Sequence, residues 1–306
     1  MSQFNERDYL RHTPDETGRM RDSLFFQTMF GPEQLGFQAY LYVTGEGKAG
    51  FNVVLWGEGK PVGFDRTEGE VPKAMDFDAF TLGPLTIRNT GLGAPSQLTY
   101  DGEKMQIDFT FTGSHPPFSY HSNPDGLPRW FARNRFEQGG RLTGFIESKG
   151  TRYEMTDQAG HRDHSWGNRN WAAPQHWKWF CAYTPDGQTT LNGWIWICRG
   201  EIGYAGFIHR NGRTVPIATI RDKATYDEDM SQRKLDAVLV DVNGMETHLV
   251  LDRFGLIKLP AGDKYGTLIQ EAACSATIDG EQGLGQFETQ WQQSYVDQLR
   301  DTGAYK

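Results

Sequence analysis

Twelve consecutive residues, Gly160-His161-Arg162-Asp163-His164-Ser165-Trp166-Gly167-Asn168-Arg169-Asn170-Trp171, hold two histidines, two arginines, an aspartate and two tryptophans. An aspartate beside a histidine can hold and move protons, because burial and neighbouring charge decide whether a carboxylic acid or an imidazolium keeps its proton. In an extended strand Arg162, His164 and Trp166 share one face, and His161, Asp163 and Ser165 share the other. Gly160 and Gly167 permit a bend or bulge at either end that re-aims the side chains. Asp163 and His164 are the candidate proton-handling pair, one reaching a ligand and the other supporting it from behind. Arg162, Arg169, His161 and Ser165 are the candidate supporting residues.

The same run admits other uses. A metal site would draw on His161, Asp163 and His164, but residues three apart in a strand point to opposite faces and no helical His-x-x-x-His spacing exists, so no metal or cofactor is expected. A serine hydrolase would use Ser165, which lacks a Gly-x-Ser-x-Gly elbow. A purely structural use stays open, in which Arg162 and Arg169 pair with Asp163 or other carboxylates and clamp two domains together. An internal comparison points the other way. The stretch Gly285-Gln286-Phe287-Glu288-Thr289-Gln290-Trp291 repeats the glycine and the tryptophan but neither histidine nor arginine. Arg162, Asp163 and His164 are then suited to a job that one half alone performs.

Aromatic residues make up 13% of the chain, and its 9 tryptophans exceed what a core needs, so some belong in pockets or at interfaces. Trp166, Trp171, Trp177, Trp179, Trp194 and Trp196 are the candidate wall of an apolar pocket, the last two pairs lying at i and i+2 on one strand face each. Protonating an alkene needs such a dry aromatic setting, whose ring faces stabilise the cation that forms.

The elements that must carry these residues are strands. Met105, Ile107, Phe109 and Phe111 alternate with Gln106, Asp108, Thr110 and Thr112, and similar period-two runs predict strands near 35–44, 49–57, 80–88, 140–148, 177–183, 191–198, 202–209, 235–242, 247–253 and 284–295. Helical spacing is weak outside 5–11. Turn signals at Asp101-Gly102, Asn211-Gly212, Asn243-Gly244 and Asp279-Gly280 punctuate the runs as in antiparallel meanders. Residues 114–121, with His115, His121 and Tyr120, read as a solvent loop, with lining of the pocket mouth as the alternative. The halves echo one another at an offset of roughly 125 residues, Asp157, Gly160 and Trp166 against Asp279, Gly283 and Trp291. Gly36-Phe37 likewise echoes Gly193-Trp194. An all-β chain of two tandem antiparallel barrels or sandwiches follows, divided as 1–165 and 166–306.

Net charge −8 and a pI near 5.5 provide no cationic footprint for nucleic acid. The beginning of the chain lacks the basic and apolar regions of a signal peptide and no apolar run has a membrane-spanning length, which predicts a cytoplasmic protein without stable membrane insertion. Cys181, Cys198 and Cys274 form no CxxC pair and read as small buried residues.

The run at 160–171 resembles the signature of the lipocalin-like (calycin) superfamily that includes hydroxyneurosporene synthase (carotenoid 1,2-hydratase), the tocopherol cyclase type proteins and the AttH-like proteins. That resemblance implies two calycin-type β-domains and protonation of an isoprenoid double bond followed by water capture or ring closure. The His-x-Trp pair of the carotenoid hydratases maps onto His164 and Trp166, whereas Leu191-Asn192-Gly193-Trp194 offers no match to their further Asp and Tyr. A related fungal group guides intramolecular Diels–Alder cyclisations. The implied activity is that of a cofactor-independent hydratase, cyclase or isomerase acting on a terpenoid, polyene or steroid-like molecule. The alternative is a non-catalytic carrier of such a molecule; homo-oligomerisation is left open. An enzyme leaves an unsatisfied face of Asp163 or His164 toward the pocket, and a carrier closes both in hydrogen bonds.

Overall fold

The computed structural model describes residues 4–12, 20–91, 93–262 and 266–303. Strands dominate. A first sheet is built from β1 (Met20–Phe30), β2 (Leu35–Thr44), β3 (Lys48–Trp56), β4 (Pro61–Glu70), β5 (Phe80–Leu82), β6 (Leu85–Asn89), β7 (Ser96–Asp101), β8 (Met105–Gly113), β9 (Phe118–Ser119), β10 (Asn134–Ser148) and β11 (Thr151–Asn168). Its order is β4-β3-β2-β1-β11-β10-β8-β7-β6-β5, with β9 paired to β10. The sheet curls until Ser148 Oγ on β10 lies 3.5 Å from the carbonyl of Val62 on β4.

A closed barrel follows, in the order β12 (His176–Tyr183), β13 (Thr189–Cys198), β14 (Glu201–Arg210), β15 (Arg213–Tyr226), β16 (Gln232–Asp241), β17 (Glu246–Ala261), β18 (Thr267–Ile278) and β19 (Glu281–Gln292). The helix α1 (Gln293–Thr302) follows β19, so the strand expected over 284–295 ends at Gln292. In both units the last strand pairs with the first, β11 with β1 and β19 with β12. Trp166 and Trp291 thus occupy corresponding last strands, as do Gly36 and Gly193 on corresponding second ones.

Alternation explains the layers. Met105, Ile107, Phe109 and Phe111 are buried inside the first sheet, while Gln106, Asp108 and Thr112 are exposed. Strands β1 and β11 break the rule by being buried on both faces. Leu24 and Phe26 point into the sheet's own core, whereas Phe25 packs with Trp179 and other aromatic residues of the barrel. The barrel answers in kind, with Phe180 and Ala182 inside and Trp177, Trp179 and Cys181 turned outward to the first sheet. Each such large side chain removed from water contributes roughly 1.5–3 kcal/mol.

Polar ties fix the two units to each other. Gln27 Nε2 donates to Cys181 Sγ (2.8 Å), Tyr120 Oη to Asn192 Oδ1 (2.7 Å), and Asn123 Nδ2 to the carbonyls of Gly206 and Ile217 (2.7 and 2.8 Å). Tyr120 and Asn123 lie in or beside the segment read above as a solvent loop. Instead His115, Phe118 and Tyr120 are buried, because the aromatic face of the barrel covers them. All three cysteines are free, two of them buried.

Candidate active site

A cavity of about 570 Å³ opens between the outward face of the first sheet and the barrel. That volume suits a small organic molecule. Trp171, Trp177, Trp179, Trp194, Phe25 and Phe131 form its aromatic wall. Trp177 and Trp194 meet edge to face at 6.2 Å, and Phe131 packs on Trp194 at 4.6 Å.

Strand β11 delivers its residues by strict alternation. His161, Asp163 and Ser165 face the barrel; Arg162, His164 and Trp166 face the core of the first sheet. Asp163 lines the cavity. Its Oδ2 accepts from Arg135 Nη2 at 2.9 Å, and Oδ1 receives no hydrogen bond among the described residues. Burial pushes this carboxyl up to about 7, against the pull of Arg135 and with the charge of Glu137 adding to the rise. Arg135 Nε also donates to Glu137 Oε1 (2.5 Å), and His161 Nε2 lies 2.7 Å from Glu137 Oε2. Despite burial, Arg135 and His161 hold Glu137 down at about 2. One arginine therefore supports two carboxylates with opposite proton affinities, Glu137 fixed as the anion and Asp163 the one inclined to keep a proton.

Ser165 and Arg169 complete this wall. Arg169 Nη2 donates to Ser165 Oγ (2.8 Å), which lies 2.9 Å from Ser23 Oγ. The chain can turn outward after Trp166 because Gly167 has φ +127°, and a Cβ there would stand 2.2 Å from the nitrogen of Arg133.

The other face of β11 does not reach the cavity. His164 is fully buried in the first sheet, with Nε2 2.6 Å from Asp22 Oδ1 and the rings of Phe77 and Phe136 at its edges. Burial lowers its proton affinity, against the pull of Asp22. Arg162 lies in the same core, donating to Gln138 Oε1 (2.8 Å) and to Ser96, amid the rings of Tyr9, Phe111 and Phe136. Trp166 stacks on His12 at 3.9 Å, beside a separate cleft. Trp196 packs behind Trp194 at 4.6 Å without touching the cavity. Among the described residues one group has ligand atoms close enough for a metal ion, His12, Asp22 and His164, within 4.8 Å of one another. Asp22 already bonds both imidazoles, 3.1 Å to His12 Nδ1 on its second oxygen.

Sequence reasoning missed the opposite wall. Glu271 and Glu288, cross-strand partners on β18 and β19, line the cavity. Gln286 Nε2 donates to Glu271 Oε2 (2.6 Å) and Trp177 Nε1 to Glu288 Oε1 (2.5 Å). Burial and mutual repulsion raise Glu271 well above the usual carboxylate range, and burial raises Glu288 too.

Residues 5–293 match a family described as a domain of unknown function, DUF7064. The chain belongs to that family. No curated protein is similar to it in sequence. Solved structures share the DUF7064 chain's fold at low identity. A putative AttH from Nitrosomonas europaea is 14% identical with a TM-score of 0.64, over 91% of this chain and 94% of that one. Kievitone hydratase from Nectria haematococca is 14% identical with a TM-score of 0.52, over 91% and 90%. CghA with Sch210972 is 13% identical with a TM-score of 0.57, over 89% and 88%. The expected tandem β-domain architecture, and the resemblance to AttH-like and hydratase proteins at the level of fold, are therefore established for this member of DUF7064.

Proposed function

We propose that the cavity is the active site of an enzyme that hydrates, cyclises or isomerises a small apolar alkene, such as a terpenoid, polyene or steroid-like molecule, with Asp163 as the acid. The observation that carries this reading is the Asp163 carboxyl at the wall of an aromatic cavity, one oxygen held by Arg135 and the other without a hydrogen bond among the described residues, and burial raises its affinity for a proton. Protonation breaks the Asp163 O–H bond, forms a C–H bond at one alkene carbon and leaves a cation on the other. Trp177 and Trp194 lie where their ring faces can stabilise that cation. Water captures it and the resulting oxonium gives up a proton, or a second double bond captures it and the new cation loses a proton from a neighbouring carbon; in both cases that proton returns to the Asp163 carboxylate. Arg135 and His161 act through position, the first by orienting Asp163 and the second by holding Glu137 as an anion. His164 supports β11 from behind, inside the first sheet. One protein of this fold is named a hydratase, which favours water addition as the first reaction to try.

Quenching of tryptophan fluorescence by a panel of apolar terpenoids and polyenes, followed by mass spectrometry of each bound compound, tests the proposal. At least one bound compound is converted by the protein, while Asp163→Asn binds it unchanged. Binding without conversion by the unaltered protein would make it a carrier, and absence of quenching would remove the cavity as a ligand site.

A further inference from the structure

The cavity has one end that an apolar molecule alone would leave costly. Four arginines line it, Arg21, Arg66, Arg135 and Arg169. Arg66 is paired with Glu68, and Arg135 with Glu137 and Asp163. Arg21 and Arg169 have no carboxylate within ion-pair distance among the described residues. Arg21 Nε donates to Tyr40 Oη (2.9 Å) and its guanidinium lies 3.7 Å over the Tyr42 ring, with no hydrogen bond from either Nη among the described residues. Arg169 spends Nε on the carbonyl of Phe131 and one Nη on Ser165. The two guanidiniums stand 6.0 and 5.3 Å from the centroid of one ring, Trp171, so they flank the same stretch of wall.

Two half-buried cations set side by side without a bonded counter-ion repel one another, a cost that an anion between them returns. The acidic side chains of the cavity do not supply that anion. Asp163 and Glu68 are paired directly with other arginines, and Asp163 attracts Arg169 without an ion-pair contact. Glu271 and Glu288 are raised by burial and so tend toward neutrality. Tyr40, despite burial, is made more acidic by Arg21 and Arg169, the response expected of an oxygen placed in a positive field.

We infer that the ligand is amphipathic and anionic, an apolar molecule whose carboxylate or enolate oxygen lies between Arg21 and Arg169 within reach of the Tyr40 hydroxyl, its apolar body lying against Trp177 and Trp194. This inference rests on the cavity being the ligand site. It adds a charge requirement, and places the anionic end on the first sheet so that the body of the molecule extends past Asp163.

Retinoate and retinol, which differ only in the terminal group, test it by titrated quenching of tryptophan fluorescence. The unaltered protein binds retinoate more tightly than retinol by on the order of 10-fold or more, the worth of a hydrogen bond to a charged group. Arg21→Gln and Arg169→Gln each reduce that preference while leaving retinol affinity within roughly 3-fold, and Arg21→Lys retains part of it. Equal affinity for the two ligands, or a preference that survives both glutamine substitutions, would overturn the anion site while leaving the cavity as an apolar one. Binding of neither would overturn both readings.

Discussion

Glu271 and Glu288 stand directly opposite each other as cross-strand partners on β18 and β19, and both line the cavity that Asp163 lines. Two carboxylates so placed cannot both ionise cheaply, and the cavity thereby gains a second reservoir of protons opposite the first. Their repulsion is a cost of folding that grows with pH. Because both are raised in the folded state above their unfolded values, stability is lost as pH rises through the raised range. Glu271→Gln removes the like-charge partner, so melting temperature measured from pH 5 to 9 falls less steeply than in the unaltered protein. Parallel curves would mean that the pair does not ionise on folding.

Asp163→Asn keeps the amide in the place of the carboxyl but removes the acid. Turnover of a substrate falls by on the order of 10²-fold or more, with unchanged far-ultraviolet circular dichroism. Near-normal turnover would move the proton source to Glu271 or Glu288.

The rate should also follow the protonated form. With Asp163 near 7, turnover is high below that value and falls as pH rises through it. A rate that instead climbs with pH across 6 to 8 would assign Asp163 the role of base.

Arg135 holds two buried carboxylates, so removing it leaves charge without a partner. Arg135→Met destabilises the fold by about 3–5 kcal/mol in chemical denaturation. Glu137 is the main loser, since its carboxyl is depressed to about 2: the stability it contributes is present above its unfolded value and lost as pH falls toward 2. The variant's deficit therefore shrinks in acid. A deficit independent of pH would assign Arg135 a packing role alone.

Much of this was legible in the sequence where chemistry and period coincide. Alternation from His161 to Trp166 fixed which residues share a face, Gly167 marked the change of direction, and Asn211-Gly212 and Asp279-Gly280 are hairpin turns with both residues at positive φ. What alternation could not reveal is which face meets the cavity, since β11 is buried on both sides by two different neighbours. Arg135, Arg21 and Tyr40 were invisible because they sit on strands of ordinary composition and are brought to Asp163 and Arg169 by pairing of β10, β11, β1 and β2. Glu288 did leave a signal. It follows Asp163 at the same offset of roughly 125 residues that relates Trp166 to Trp291. What recurs between the halves at this position is the acid, while histidine and arginine do not recur.

That Asp163 keeps its proton near neutral pH while facing the cavity is tested most directly by following its side-chain carboxyl carbon in a ¹³C-aspartate-labelled protein through a pH titration, assigned with Asp163→Asn. The predicted midpoint lies near 7, and it moves when a cavity ligand binds. A midpoint at the ordinary aspartate value near ~4, unmoved by ligand, would contradict it and leave Asp163 a permanently charged partner of Arg135.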